Sequence, residues 1–265
     1  MTNRFFWYEL MTSDHAAAER FYAKVVGWKL TPFPATGQPY TVLETEGGRG
    51  IGGLMPIPEE AAVNGLKPCW VGYIHVVDID AAVTGVKANG GMVHHGPDPI
   101  PGVGRFAVCS DPQGAMFNML QPETQGDLPD LPMGTVGGVD WHELHSSDWE
   151  GGLAFYKAQF GWSGTGAMDM GPLGSYQFFA MEPVVGDGPC EATAGGMMND
   201  PQAPRPYWTF YVHVGDIDAA IARVTDNGGT IINGPDQVPG GVWVINATDP
   251  QGALFSLVGS RADAG

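Results

Sequence analysis

The chain repeats itself, and this constrains its fold more than any local pattern, because a segment copied at a fixed offset must fold the same way twice. Tyr73-Ile-His-Val76 returns as Tyr211-Val-His-Val214, Asn89-Gly-Gly91 as Asn227-Gly-Gly229, and Asp111-Pro-Gln-Gly-Ala-Met-Phe117 as Asp249-Pro-Gln-Gly-Ala-Leu-Phe255, all at an offset of 138 residues. Residues 70–120 laid on 208–258 give 24 identities in 51 positions. Earlier pieces recur too. Trp7, Glu9-Leu10, Phe21-Tyr22 and Gly27-Trp28 reappear at offset 134 as Trp141, Glu143-Leu144, Phe155-Tyr156 and Gly161-Trp162. Gly52-Gly-Leu-Met55 reappears at offset 143 as Gly195-Gly-Met-Met198. Offsets differing by a few residues place the length changes in loops. Two domains follow, residues 1–123 and 137–260, joined by a Pro-rich, unpatterned linker at 124–136 and followed by a short tail at 261–265.

Each half divides again into a strand, a helix and three strands. Phe5 to Met11 is aromatic and β-prone, Asp14 is placed to cap a helix, and Ala18, Phe21, Tyr22, Val25 and Val26 recur at helical spacing before Gly27. Trp70 to Val77 repeats the strand, Asp78 or Asp80 the cap, and Ile79, Val83 and Val86 the apolar stripe before Asn89-Gly-Gly91. Asp111-Pro-Gln-Gly114 has the residues of a type I turn and joins strands at 105–109 and 115–120. The Gly-rich run from Gly47 to Gly53 predicts a bend between strands. Four βαβββ units result, an α+β architecture with helices on one face of each sheet. Two units paired edge to edge would form a cup suited to a small ligand.

Composition narrows the function. Twelve Lys and Arg against 29 Asp and Glu give a net charge of −17, which repels phosphate backbones, so nucleic acid is not an expected partner. A chain with 15% charged and 43% hydrophobic residues folds rather than stays disordered, and 40 Gly with 22 Pro supply tight turns between short strands. Cys69, Cys109 and Cys190 form no Cys-x-x-Cys pair, which predicts neither a disulfide framework nor a cysteine-rich zinc site and suits a reducing compartment. The N-terminus shows no signal-peptide core and no stretch reaches membrane-spanning length, so a cytoplasmic protein without a membrane partner is expected. The Gly-rich run lacks a Walker ending, and no Gly-x-Ser-x-Gly elbow occurs.

Alternate residues of a strand share a face, which groups Trp7 with Glu9, Tyr73 with His75, Trp141 with Glu143 and His145, and Tyr211 with His213. Each has a plain structural explanation. Indoles are large core or wall residues, a neutral imidazole can be satisfied within a sheet, and a one-residue slip would turn both glutamates outward. Turned inward, Glu9 and Glu143 are desolvated acids able to act as general bases or to accept from a ligand hydroxyl; they are the catalytic candidates. His94 and His95 lie near a turn and read as solvent-facing. His142-Glu-Leu-His145 is not His-Glu-x-x-His, and a strand sends its two histidines to opposite faces, so no metalloprotease is implied.

Four βαβββ units, a helix bearing Phe-Tyr and ending Gly-Trp, and closing Asp-Pro-x-Gly strands resemble the vicinal oxygen chelate superfamily of glyoxalases, bleomycin-resistance proteins and extradiol dioxygenases, over nearly the whole chain. The resemblance implies four modules paired into two cupped barrels. It also implies where a divalent ion would be held: by a side chain on the first strand and a Glu on the last strand of each module. Those positions are Trp7, Trp141, Val71 and Thr209 on the first strands and Asn118 and Ser256 on the last. None suits such an ion, so no metal or other cofactor is expected. A displaced set of Glu143, His145 and His213 has the composition of a two-His, one-carboxylate site. Against it, His213 stands four residues beyond the family position, roughly 13 Å along a strand. The resemblance thus offers two functions. One is a protein that binds a small molecule in aromatic cups lined by Trp7, Tyr73, His75 and Asn118 and by Trp141, His145, Tyr211, His213 and Ser256. The other is a metal-dependent lyase, isomerase or oxygenase. A small-molecule ligand is the expected partner, and a homodimer is left open.

Overall fold

A computed structural model describes residues 2–34, 37–124, 131–182 and 193–261. Cys190, linker residues 125–130 and most of the tail lie outside the described residues.

The four repeats all fold as strand, helix, three strands. The first holds β1 (Phe5–Thr12), α1 (His15–Val25), β2 (Lys29–Pro32), β3 (Thr41–Glu44) and β4 (Gly50–Pro56), and a short α2 (Glu59–Val63) leads out of it. The second holds β5 (Cys69–His75), α3 (Ile79–Ala88), β6 (Met92–Ile100), β7 (Gly104–Ser110) and β8 (Met116–Pro122). The second copy repeats this with β9 (Val139–Ser146), α4 (Trp149–Phe160), β10 (Ser163–Asp169), β11 (Ser175–Ala180) and β12 (Thr193–Asn199). It closes with β13 (Tyr207–Asp216), α5 (Ile217–Asp226), β14 (Thr230–Gln237), β15 (Trp243–Thr248) and β16 (Leu254–Ser260). Each copy forms one eight-stranded sheet, ordered β2-β3-β4-β1-β5-β8-β7-β6 and β10-β11-β12-β9-β13-β16-β15-β14. The first strand of every module runs parallel to its last, and the hairpins are antiparallel.

Local chemistry explains the repetition. Each long helix starts at an aspartate, Asp14, Asp78, Asp148 or Asp216, whose carboxylate accepts from the backbone N–H three residues on at 3.0–3.1 Å. Of the two caps considered for α3, Asp78 serves. The buried stripes Ala18, Phe21, Tyr22, Val25 and Ile79, Val83, Val86 follow helical spacing. At the Asp-Pro-Gln-Gly turns, Gly114 donates to the carbonyl of Asp111 and Gly252 to that of Asp249, at 3.0 and 2.9 Å.

One expectation holds for only part of its span. Gly47 and Gly48 form the turn between β3 and β4, but Gly50, Gly52 and Gly53 lie within β4. Gly52 pairs with Tyr8 so closely that a Cβ there would strike the Tyr8 carbonyl. Glycine marks a close backbone approach here, not a break.

Contacts divide the chain into two compact units: Met1–Phe6, Val71–Pro129 and Trp141–Thr209 in one, and Trp7–Trp70, Asp130–Asp140 and Phe210–Gly265 in the other. In the latter, the first and fourth modules share one core in which Leu10, Phe21, Tyr22 and Val25 pack with Ile217, Val224, Phe255 and Leu257. Trp70 Nε1 donates to Tyr22 Oη at 3.0 Å, and Tyr22 donates to buried Asp249 at 3.1 Å. The other unit repeats this between the second and third modules: Trp208 donates to Tyr156 at 2.8 Å, and Tyr156 to Asp111 at 3.3 Å. The paired Phe-Tyr and Asp-Pro-Gln-Gly motifs are therefore two halves of one buried joint. Among the described residues no helix is long and apolar enough to cross a membrane.

Candidate functional site

Strand β9 sorts its side chains as alternation requires. His142, Leu144 and Ser146 are buried on one face, and Trp141, Glu143 and His145 share the other. On that second face, Trp141 Nε1 donates to Tyr176 Oη at 2.8 Å, and Tyr176 donates to Glu143 Oε2 at 2.6 Å. The first copy builds the same three-residue chain: Trp7 Nε1 donates to Tyr40 at 3.0 Å and Tyr40 to Glu9 Oε2 at 3.0 Å, with Glu9 only 6% exposed. Burial first, and then the Glu9 charge, push the Tyr40 phenol far above its ordinary pKa, so it stays a donor.

The repeated Gly-Gly pairs make room for these tyrosines. Gly53 lies opposite Glu9 and Gly196 opposite Glu143, and a Cβ on either would collide with the ring of Tyr40 or Tyr176. Neither tyrosine was among the sequence candidates. Their signal was present, since they recur at an offset of 136, between the 134 and 143 of the flanking repeats.

The second copy adds charge. His145 Nε2 meets Glu143 Oε1 at 2.8 Å and its Nδ1 meets Asp200 Oδ2 at 2.9 Å, while Tyr207 stacks on the imidazole with centroids 4.5 Å apart and planes 5° apart. Ionised carboxylates only accept, so this geometry calls for a hydrogen on both ring nitrogens, the imidazolium form. Burial opposes that charge, but the hydrogen bonds and charges of Glu143 and Asp200 outweigh it and raise the His145 pKa. Burial likewise opposes the Asp200 charge, and the bonds from His145, Gln202 N and Ala203 N hold its pKa below the usual value. Burial, then the Asp200 and Glu143 charges, push the Tyr207 phenol up to about 12. In the first copy the matching positions are Met11 and Ile57, by the offsets 134 and 143.

The remaining candidates lie on the last modules of each copy. Tyr73 is in register with buried Asn118, and Phe6 stands edge-on to buried His75 at 5.6 Å. Among the described residues Asn118 Oδ1 and His75 Nδ1 meet no partner, and burial lowers the His75 pKa. Tyr211 is in register with Ser256, and Asn246 Nδ2 donates to Ser256 Oγ at 2.8 Å and to Tyr211 Oη at 3.3 Å. His213 Nδ1 is hydrogen-bonded to Asp140 at 2.8 Å, and among the described residues Glu143, His145 and His213 form no ligand set.

The family's metal positions can be tested on these contacts. Trp7 and Trp141 offer only N–H donors already given to tyrosines, Ser256 accepts from Asn246, Val71 is apolar, and Asn118 and Thr209 are neutral. That donor set does not fit a divalent ion. Among the described residues no group of three His, Cys, Asp or Glu is arranged to hold one elsewhere.

Four βαβββ modules in two sheets, with the repeated Phe-Tyr and Asp-Pro-x-Gly joints, define a paired-module α+β protein of the glyoxalase type. The family model for the glyoxalase/bleomycin resistance protein/dioxygenase superfamily matches residues 4–119 and 138–257, and the chain belongs to that superfamily. It is 31% identical over 255 residues to the Mycobacterium tuberculosis protein named "Putative glyoxylase CFP32", covering 95% of this chain and 93% of that one. It is 30% identical over 270 residues to "Anthracycline biosynthesis protein DnrV" of Streptomyces peucetius, covering 96% and 92%. The Mn(II)-bound glyoxalase of Novosphingobium aromaticivorans has the same fold, with TM-score 0.64 and 17% identity over 97% of this chain and 82% of that one. So does the 2,3-dioxygenase LapB of Pseudomonas sp. KL28, with TM-score 0.64 and 12% identity over 98% and 94%.

Proposed function

We propose that the protein binds a small, largely apolar, aromatic molecule against its Trp–Tyr–Glu faces, without the family's usual metal, and that Glu143 is the polar anchor of the second copy. The observation that carries this reading is the duplicated hydrogen-bonded chain Trp141–Tyr176–Glu143 and Trp7–Tyr40–Glu9. It fixes a carboxylate beside an indole in both copies, and a carboxylate has about four acceptor sites, enough to hold two protein donors and still accept from a guest. A relative named for anthracycline biosynthesis is in keeping with a flat aromatic guest.

The test is 2-naphthol binding to the full chain, followed by tryptophan fluorescence. Glu143→Gln is expected to weaken binding about fivefold or more while leaving the melting temperature near wild type. Unchanged affinity removes Glu143 from the site. Protein purified without chelator is expected to hold far less than one divalent ion per chain.

A second reading, a metal-dependent lyase, isomerase or oxygenase, draws on the fold shared with the Mn(II)-bound glyoxalase. Near-stoichiometric manganese, iron or zinc in that preparation would select it.

A further inference from the structure

The two copies act as an internal control on one another. Both present a carboxylate bonded to a tyrosine that accepts from an indole, and the second sets the His145 imidazole between that carboxylate and Asp200. At the corresponding places the first copy has Met11 and Ile57, whose side chains carry no charge. The second-copy cluster is partly accessible: the side chains of Glu143, His145 and Asp200 are 13%, 14% and 21% exposed. The titratable groups facing His145 are Glu143 on its own strand, Asp200 after β12 and Tyr207 on β13, with Tyr176 of β11 reaching it through Glu143.

We propose that His145 is the specificity-determining residue of the Glu143 site: a positioning cation that pins the carboxylate in one orientation and offsets its charge, so that this site selects a neutral hydroxyl-bearing aromatic guest over a cationic amine of the same shape. The inference rests on the preceding assignment of Glu143 as anchor. Its physical basis is Coulombic. A positive charge one hydrogen bond from the carboxylate repels an incoming ammonium at short range in a partly desolvated site, and it leaves the carboxylate's capacity to accept from a neutral O–H intact. At the position that matches His145 the first copy carries the thioether of Met11, which brings no charge to Glu9.

Two measurements test this on the full-length protein in a Glu9→Gln background, where only the second carboxylate is read. Nitrogen-15 spectra of the imidazoles at pH 7 should show both nitrogens of His145 protonated; a neutral ring overturns the proposal before any ligand is added. Dissociation constants are then compared for 2-naphthol and 2-naphthylmethylammonium. His145→Met, which installs the first copy's residue, and His145→Gln, which keeps a neutral donor, should each move the ratio toward the ammonium by tenfold or more. A folding defect would weaken both probes together and leave the ratio in place, so an unchanged ratio in both variants overturns the proposal. If Glu143→Gln also fails to weaken naphthol binding, the underlying assignment falls as well; if it does weaken binding, only the role of His145 is lost.

Discussion

Two histidines three residues apart on β9 face opposite ways and titrate with opposite sign. His142 is fully buried, stacked on Phe5 at 5.2 Å, with Nδ1 donating to the Ala194 carbonyl; burial lowers its pKa to about 4, although the Ala194 bond works the other way. A histidine depressed from 6.5 stabilises the fold fully above pH 6.5, and that stability is lost as pH falls toward 4, up to about 3 kcal/mol. His145 is raised, so its contribution is full below pH 6.5 and is lost as pH rises through its higher folded value. Urea denaturation should therefore show stability declining from pH 6.5 to 4, and His142→Gln should flatten that decline; a wild-type midpoint that is level across the window would refute it. The sequence separated these two rings correctly by strand alternation. It did not reveal the partners of His145, because Asp200 and Tyr207 lie far along the chain and are joined to it only by sheet register.

At the level of elements, the glycine pairs and aspartate caps were the most legible features, and the glycines were the most easily misread. Gly-Gly in β4 and β12 looks like punctuation, but it is the floor beneath Tyr40 and Tyr176. Gly196→Ala is expected to cost about 1–3 kcal/mol by overpacking and to alter Trp141 fluorescence by displacing Tyr176; stability and emission both at wild-type values would contradict that role. The caps make a simpler prediction. Asp148→Ala should destabilise by about 1 kcal/mol in chemical denaturation, through loss of the bond to Gly151 N, with Glu143-dependent binding unaffected. Strands and helices were readable because period and cap chemistry are local; the short α2, with no buried residue, left no such pattern.

Across the whole molecule, repetition predicted the modules but not how their interiors are shared. Both copies of the family pattern are contiguous in sequence, yet each compact unit draws one module from either copy. Nothing in a sequence repeat says which apolar faces meet. Two consequences can be measured. Tyr22→Phe leaves Asp249 and Trp70 each short of a hydrogen bond in a buried site and should cost about 1–3 kcal/mol, as should Tyr156→Phe. Residues 1–123 and 137–260 expressed apart should each show poor dispersion in proton spectra and recover a native spectrum on mixing; two well-folded separate halves would show that the shared interiors are dispensable. Because each interior is contributed by both copies of the repeat, a copy whose binding face falls idle still cannot be shed. It must persist as scaffolding for its twin, and that dependence leaves one face free to diverge, as Met11 and His145 have, while the architecture stays symmetric.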